Sequence, residues 1–229
     1  MGELQSAWQA LRFGGAMVYP LLLLGAVAAV IIVDRGVLYA RSVRLPRGVR
    51  ELVETYGLAW ADLEAQINDL GPRNAFSRVF KVVVDNRSHP AWWVESRAAD
   101  EASQVEAALG RGLWVLETIV TAAPLLGLLG TITGMMQSFQ VIGGSGLVAP
   151  TQVTAGVAQA LIATALGLLI ALVSLFAFNC FARVRSHLLD ELERLASRLV
   201  DRIRLDEEQA SSAAQARRPE PVLSQARVR

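Results

Sequence analysis

Between Thr118 and Phe181 the chain holds no Asp, Glu, Lys, Arg or His, yet it does hold Thr131, Gln159 and Thr164. Polar groups set in such a run are costly to bury and mark helix contacts or hydrophilic paths. A Ser or Thr hydroxyl can be satisfied by a carbonyl of its own helix. That accounts for most of Thr118, Thr121, Thr133, Ser138, Thr154 and Ser174. The primary amide of Gln159 has more donors and acceptors than one helix can satisfy, so it must face another helix or a wet path. Thr164 follows five residues later, about 140° around a helix, and shares a broad inward sector with Gln159. Hydroxyls and an amide can hydrogen-bond and organise water, but they do not exchange a proton at neutral pH. Proton passage through hydrocarbon needs a titratable group, usually a carboxylate. None lies in Thr118–Phe181 or in Gly14–Val33. A proton-coupled function would therefore need its acid from another polypeptide.

Small residues give a second pattern. Gly127, Gly130 and Gly134 fall on one segment, the last two in GxxxG spacing. Gly156, Ala160, Ala163, Gly167 and Ala171 recur at three or four on the next. Such faces let helix backbones approach closely. Pro124 removes one helical hydrogen bond and is expected to kink its helix, freeing a carbonyl.

Other chemistries find little support. A single cysteine, Cys180, excludes an internal disulfide and a multi-cysteine metal site. The two histidines, His89 and His187, are far apart. No Ser-His-Asp or Cys-His set is visible, and Ser138, Ser174 and His187 read as helix polar residues. The expectation is no enzyme, no metal and no cofactor. A net charge of +1 points to no nucleic-acid partner.

These residues need elements to hold them. The chain is 53% hydrophobic, with a mean hydropathy of +0.37, which places it in a membrane. A crossing uses about 20 residues. Residues 14–33 supply one helix. The pattern Ala26-Val27-Ala28 resembles a leader cleavage site, but the apolar run continues through Ile31, Ile32 and Val33, which favours a retained anchor. The long uncharged stretch supplies two more helices, over 118–142 and 153–181, joined by a turn over 143–152 rich in glycine and containing Pro150. Arg35, Arg41, Arg44, Arg47 and Arg50 follow the first helix, and Arg183 and Arg185 follow the third. The positive-inside rule then sets the N-terminal segment 1–13 outside, the turn outside, and residues 34–117 and the C-terminus in the cytoplasm.

The cytoplasmic parts also read as helix. Leu188, Leu192, Leu195, Leu199 and Ile203 recur at three and four within 182–208. Ala98, Ala102, Val105, Ala108 and Leu109 repeat similarly within Glu95–Leu116, so the two stretches are expected to pair as extensions of the second and third membrane helices. Glu51–Leu70 is helical up to Gly71-Pro72. Val79–Val84 is strand-like in composition but has no sheet to join, and is assigned to helix. Trp92 and Trp93 are packing or interface residues. Residues 209–229, rich in Ala, Ser, Gln, Pro and Arg, are expected to be disordered. The fold class is all-α: an integral membrane protein with three transmembrane helices and long cytoplasmic helical extensions.

The run from Ala123 to Met136, APLLGLLGTITGMM, resembles the second-helix signature of the ExbB/TolQ family, which is distantly similar to the flagellar stator protein MotA. The run from Thr154 to Leu168, TAGVAQALIATALGL, resembles its third-helix signature. The resemblance implies a homopentamer in the bacterial inner membrane around a single-span ExbD/TolR-like partner, whose membrane Asp carries the proton. Flow down the proton-motive force would drive work on the cell envelope, such as TonB-dependent transport, passed on through a TonB/TolA-like protein. The family's pore threonines match Thr131 and Thr164. The family usually has Glu where this chain has Gln159, which leaves that position polar lining or helix contact. The other reading weighed is a non-conducting membrane scaffold in a diverged branch, using its small-residue faces for assembly alone.

Overall fold

The computed structural model describes residues 15–42, 45–55, 59–145 and 150–216. Among them all regular structure is helical: α1 (Val18–Ser42), α2 (Arg47–Glu54), α3 (Trp60–Leu70), α4 (Ala75–Asp85), α5 (Ala91–Gly110), α6 (Leu113–Ser145) and α7 (Pro150–Ala216). Three helical stretches are long and apolar enough to cross a membrane: Val18–Arg41, Ala91–Gln140 and Thr154–Ala213. The expected segment 1–13 lies outside the described residues, as do 146–149 of the expected turn and 217–229 of the tail. The chain divides into two units, Met1–Arg41 with Glu106–Leu188, and Ser42–Val105 with Leu189–Arg229.

The first unit is built from α1, the end of α5, α6 and the first part of α7. Its core joins Leu21 and Ala28 of α1 to Leu113, Leu116, Ile119 and Ala123 of α6 and to Ala163 and Ala171 of α7. Lipid tails are as apolar as these side chains, so close packing and interhelical hydrogen bonds, rather than water exclusion, hold such a unit together.

The continuous helix expected over Glu95–Leu116 is broken. α5 stops at Gly110 and α6 starts at Leu113. Gly112 between them has φ of 78°, a backbone form that glycine takes at little cost. The last carbonyls of a helix have no partner within it, and here α1 provides two. The Arg35 guanidinium donates to the Ala108 carbonyl at 3.2 Å. The Tyr39 hydroxyl donates to the Leu109 carbonyl at 3.1 Å. Arg35 and Tyr39 are one helical turn apart and so share a face. Phe181 stacks on Tyr39 with ring centroids 5.4 Å apart.

The second unit contains α2, α3, α4, the first part of α5 and the last part of α7. Val79–Val84 is helical, within α4. Two features select helix there. Asn74 caps the N-terminus, its side chain accepting from the Phe76 amide at 2.9 Å. Phe76, Val79, Phe80 and Val83, spaced at three and four, are all buried. The stripe Leu192, Leu195, Leu199 and Ile203 of α7 is also buried. α7 meets α5 through Arg204–Glu95 at 2.5 Å and through the Ala91 amide donating to Glu207 at 3.1 Å. It meets α2 through Arg194–Glu54 at 2.9 Å. Trp93 packs between His89 and Arg97, whereas Trp92 is exposed.

The expected disordered tail differs from the structure over 209–216. α7 continues to Ala216, because this stretch contains no Gly or Pro and is rich in alanine and glutamine, which favour helix.

Candidate functional site

α6 and α7 are antiparallel neighbours that meet through small side chains. A methyl placed on Gly127 would lie 3.0 Å from the Ala163 carbonyl oxygen. One on Gly167 would lie 2.5 Å from the Ala123 carbonyl oxygen, and one on Gly134 would lie 3.1 Å from the Gly156 carbonyl oxygen. Gly130 faces the Ala163 methyl, and Gly156 faces the Ser138 hydroxyl. The spacing Ala123, Gly127, Gly130, Gly134, Ser138 thus makes one continuous face of α6. Ala160, Ala163 and Gly167 are buried against that face. Pro124 lies within α6, half-buried, beside this seam.

Thr164 belongs to the seam. Its hydroxyl donates to the Gly127 carbonyl at 3.1 Å, crossing from α7 to α6. Thr131 is half-buried and donates to Leu128 of its own helix at 2.6 Å. Each hydroxyl keeps its acceptor lone pairs for water or a further donor. Gln159 lies elsewhere. Its amide fills the space beside Gly15, ahead of α1, where a methyl would collide with it. Gly15 also has φ of 70°, so glycine is favoured there on two counts. The structure therefore joins Thr164 to Gly127 and sets Gln159 against the start of the first membrane helix. Four further hydroxyls on α6 bond within the helix: Thr118 to the Trp114 carbonyl at 2.8 Å, Thr121 to Thr118 at 2.9 Å, Thr133 to Leu129 at 3.1 Å, and Ser138 to Gly134 at 3.0 Å.

Two groups escaped the reading of the sequence. Ser174 is wholly buried, and its hydroxyl has no hydrogen-bond partner among the described residues. It looked like any helix serine, and periodicity alone carries no sign of an orphaned hydroxyl. Arg35 was read for its charge alone and Tyr39 drew no reading, yet they cap α5. Their partners lie 73 and 70 residues away in sequence, beyond any local signal.

Comparison with known proteins fits this arrangement. Residues 72–194 match the model of the MotA/TolQ/ExbB proton channel family. A putative biopolymer transport protein, ExbB-like 1, of Synechocystis sp. is 33% identical over 193 residues, covering 81% of this chain and 74% of that protein. The biopolymer transport protein ExbB of Aquifex aeolicus is 42% identical over 89 residues, covering 38% of this chain and 60% of that protein. The ExbB protein of Xanthomonas campestris is 38% identical over 93 residues, 41% of this chain and 37% of that protein. The matched region contains the whole α6–α7 seam. With three helices able to cross a bilayer and a family match over more than half its length, this chain is a multi-pass membrane protein and belongs to the MotA/TolQ/ExbB proton channel family.

Proposed function

We propose that the chain is the channel-forming subunit of a motor driven by the proton-motive force, of the ExbB–ExbD or TolQ–TolR type. It sits in the bacterial inner membrane with its N-terminus outside and its C-terminus in the cytoplasm. Five copies surround a single-span partner whose membrane Asp carries the proton, and the work passes through a TonB/TolA-like protein to an envelope process such as TonB-dependent transport. The observation that carries this reading is the α6–α7 pair itself. It is sewn together through glycine and alanine, holds Thr131 and Thr164, and has no Asp, Glu, Lys, Arg or His between Thr118 and Phe181. A helix pair of that kind can line a hydrophilic path but cannot relay a proton alone. Gln159 contributes packing against the start of α1 rather than a proton step.

Liposomes containing this chain and its partner test the reading through Thr164. Thr164→Val removes the only donor of the hydroxyl while keeping its shape, so proton flux falls although the assembly is still recovered. Undiminished flux in a well-assembled Thr164→Val complex would remove Thr164 from the path. An assembly with no flux at all would favour the scaffold role.

A further inference from the structure

The seam face of α6 is not its only ordered stripe. Glu117, Thr121, Pro124, Leu128, Thr131 and Met135 recur at four, three, four, three and four residues. They occupy one sector about 80° wide and about 27 Å long, close to the thickness of a bilayer core. Glu117, Thr121, Leu128 and Met135 are exposed in the single chain, and Pro124 and Thr131 half-buried. The exposed side chains elsewhere along α6 are largely apolar, including Leu125, Leu129, Ile132, Met136 and Phe139. Glu117 is the one carboxylate of α6. It lies one turn beyond the exposed Trp114, an aromatic suited to the membrane–water boundary.

The same level holds a second unspent polar group. Gly167 packs on Ala123, and running that antiparallel register on by two turns sets Ser174 level with Leu116. The Ser174 hydroxyl is buried without a partner, a condition that an ordered water commonly relieves. The charged groups on the neighbouring elements are already engaged or lie further along. Arg35 of α1 is bound to Asp34 and to the Ala108 carbonyl. Arg111 lies exposed in the break before α6, six residues ahead of Glu117, and Arg183 and Arg185 lie further along α7. No described residue forms an ion pair or hydrogen bond with Glu117.

We infer that Glu117 is the proton-release group of the path, the last carboxylate a proton meets on its way to the cytoplasm. This rests on the channel reading above and names a residue that reading does not use. A proton leaving the partner's carboxylic acid travels by water past Thr131 and Thr121 and adds to the Glu117 carboxylate, leaving the partner's acid ionised. The neutral Glu117 carboxyl then gives that proton to cytoplasmic water and returns to its charged form. No oxidant or other reactant is consumed.

Proton flux into liposomes carrying the complete two-subunit assembly, under an imposed membrane potential, tests this. The wild-type assembly provides the reference. Glu117→Gln should lower flux by about a hundredfold, the lower end of what a positioned proton-transfer group contributes. Glu117→Asp, which keeps the carboxyl, should retain most of it, with equal recovery of partner in all three. Wild-type flux from the Gln variant would overturn the assignment. Equal loss in the Gln and Asp variants together with loss of the partner would overturn it too, by making Glu117 an assembly residue. An inactive wild-type assembly would instead defeat the channel reading, and this inference with it.

Discussion

The Thr164 hydroxyl spends its proton on the Gly127 carbonyl, so the residue has a packing role as well as the proposed pore role. An interhelical hydrogen bond within a bilayer is worth about 0.6 kcal/mol. Losing it in Thr164→Val should therefore weaken the pair only slightly, and Thr164→Ser should restore both the bond and proton flux. Measuring complex recovery beside flux separates the two roles. Gly167 is constrained more severely. A side chain there meets backbone at 2.5 Å, and overpacking of this kind costs about 1–3 kcal/mol. Gly167→Leu should lose the assembled complex in detergent extracts, whereas the same change at Gly36, which has nothing nearby, should not. The spacing of these glycines and alanines was legible in the sequence. Their opposite numbers were not, because a small-residue stripe does not say which helix it will meet. For the same reason the amide of Gln159 could be required to face a partner, but Gly15 as that partner could not be foreseen.

At the scale of elements, the departure of most consequence is the break between α5 and α6. Apolar spacing runs smoothly through this region, so periodicity predicts one helix. Backbone geometry decides otherwise. Gly112 adopts a positive φ, and Arg35 and Tyr39 occupy the carbonyls that a continuing helix would have used. Gly112→Ala should cost about 1–2 kcal/mol, the penalty for placing an L-residue in the left-handed region. Tyr39→Phe keeps the stacking on Phe181 and loses one hydrogen bond, for about 1 kcal/mol. Thermal unfolding of the purified chain in detergent should show both shifts, with no shift for Trp92→Phe on the exposed start of α5. The long helices themselves were readable because their apolar length exceeds any soluble alternative. α4 was harder, since valine-rich composition suggests strand. Its Asn74 cap and three-and-four burial pattern resolve it, and the cap alone could have been read in advance.

For the whole molecule, the central claim is a division of labour. Under the proposed function this chain lines a path and seals its helices, and another polypeptide brings the acid inside the bilayer. Glu117 lies outside the uncharged stretch and does not replace that acid. The apolar helices could be read from sequence because hydrocarbon tolerates few alternatives. The assembly could not, since nothing in one chain fixes the number of its neighbours. Proton flux into liposomes decides the claim most directly, comparing the chain alone, the chain with its single-span partner, and the chain with a partner whose membrane Asp is changed to Asn. The account predicts flux in the second preparation only. Equal flux from the chain alone, or from the assembly carrying Asn, would contradict it.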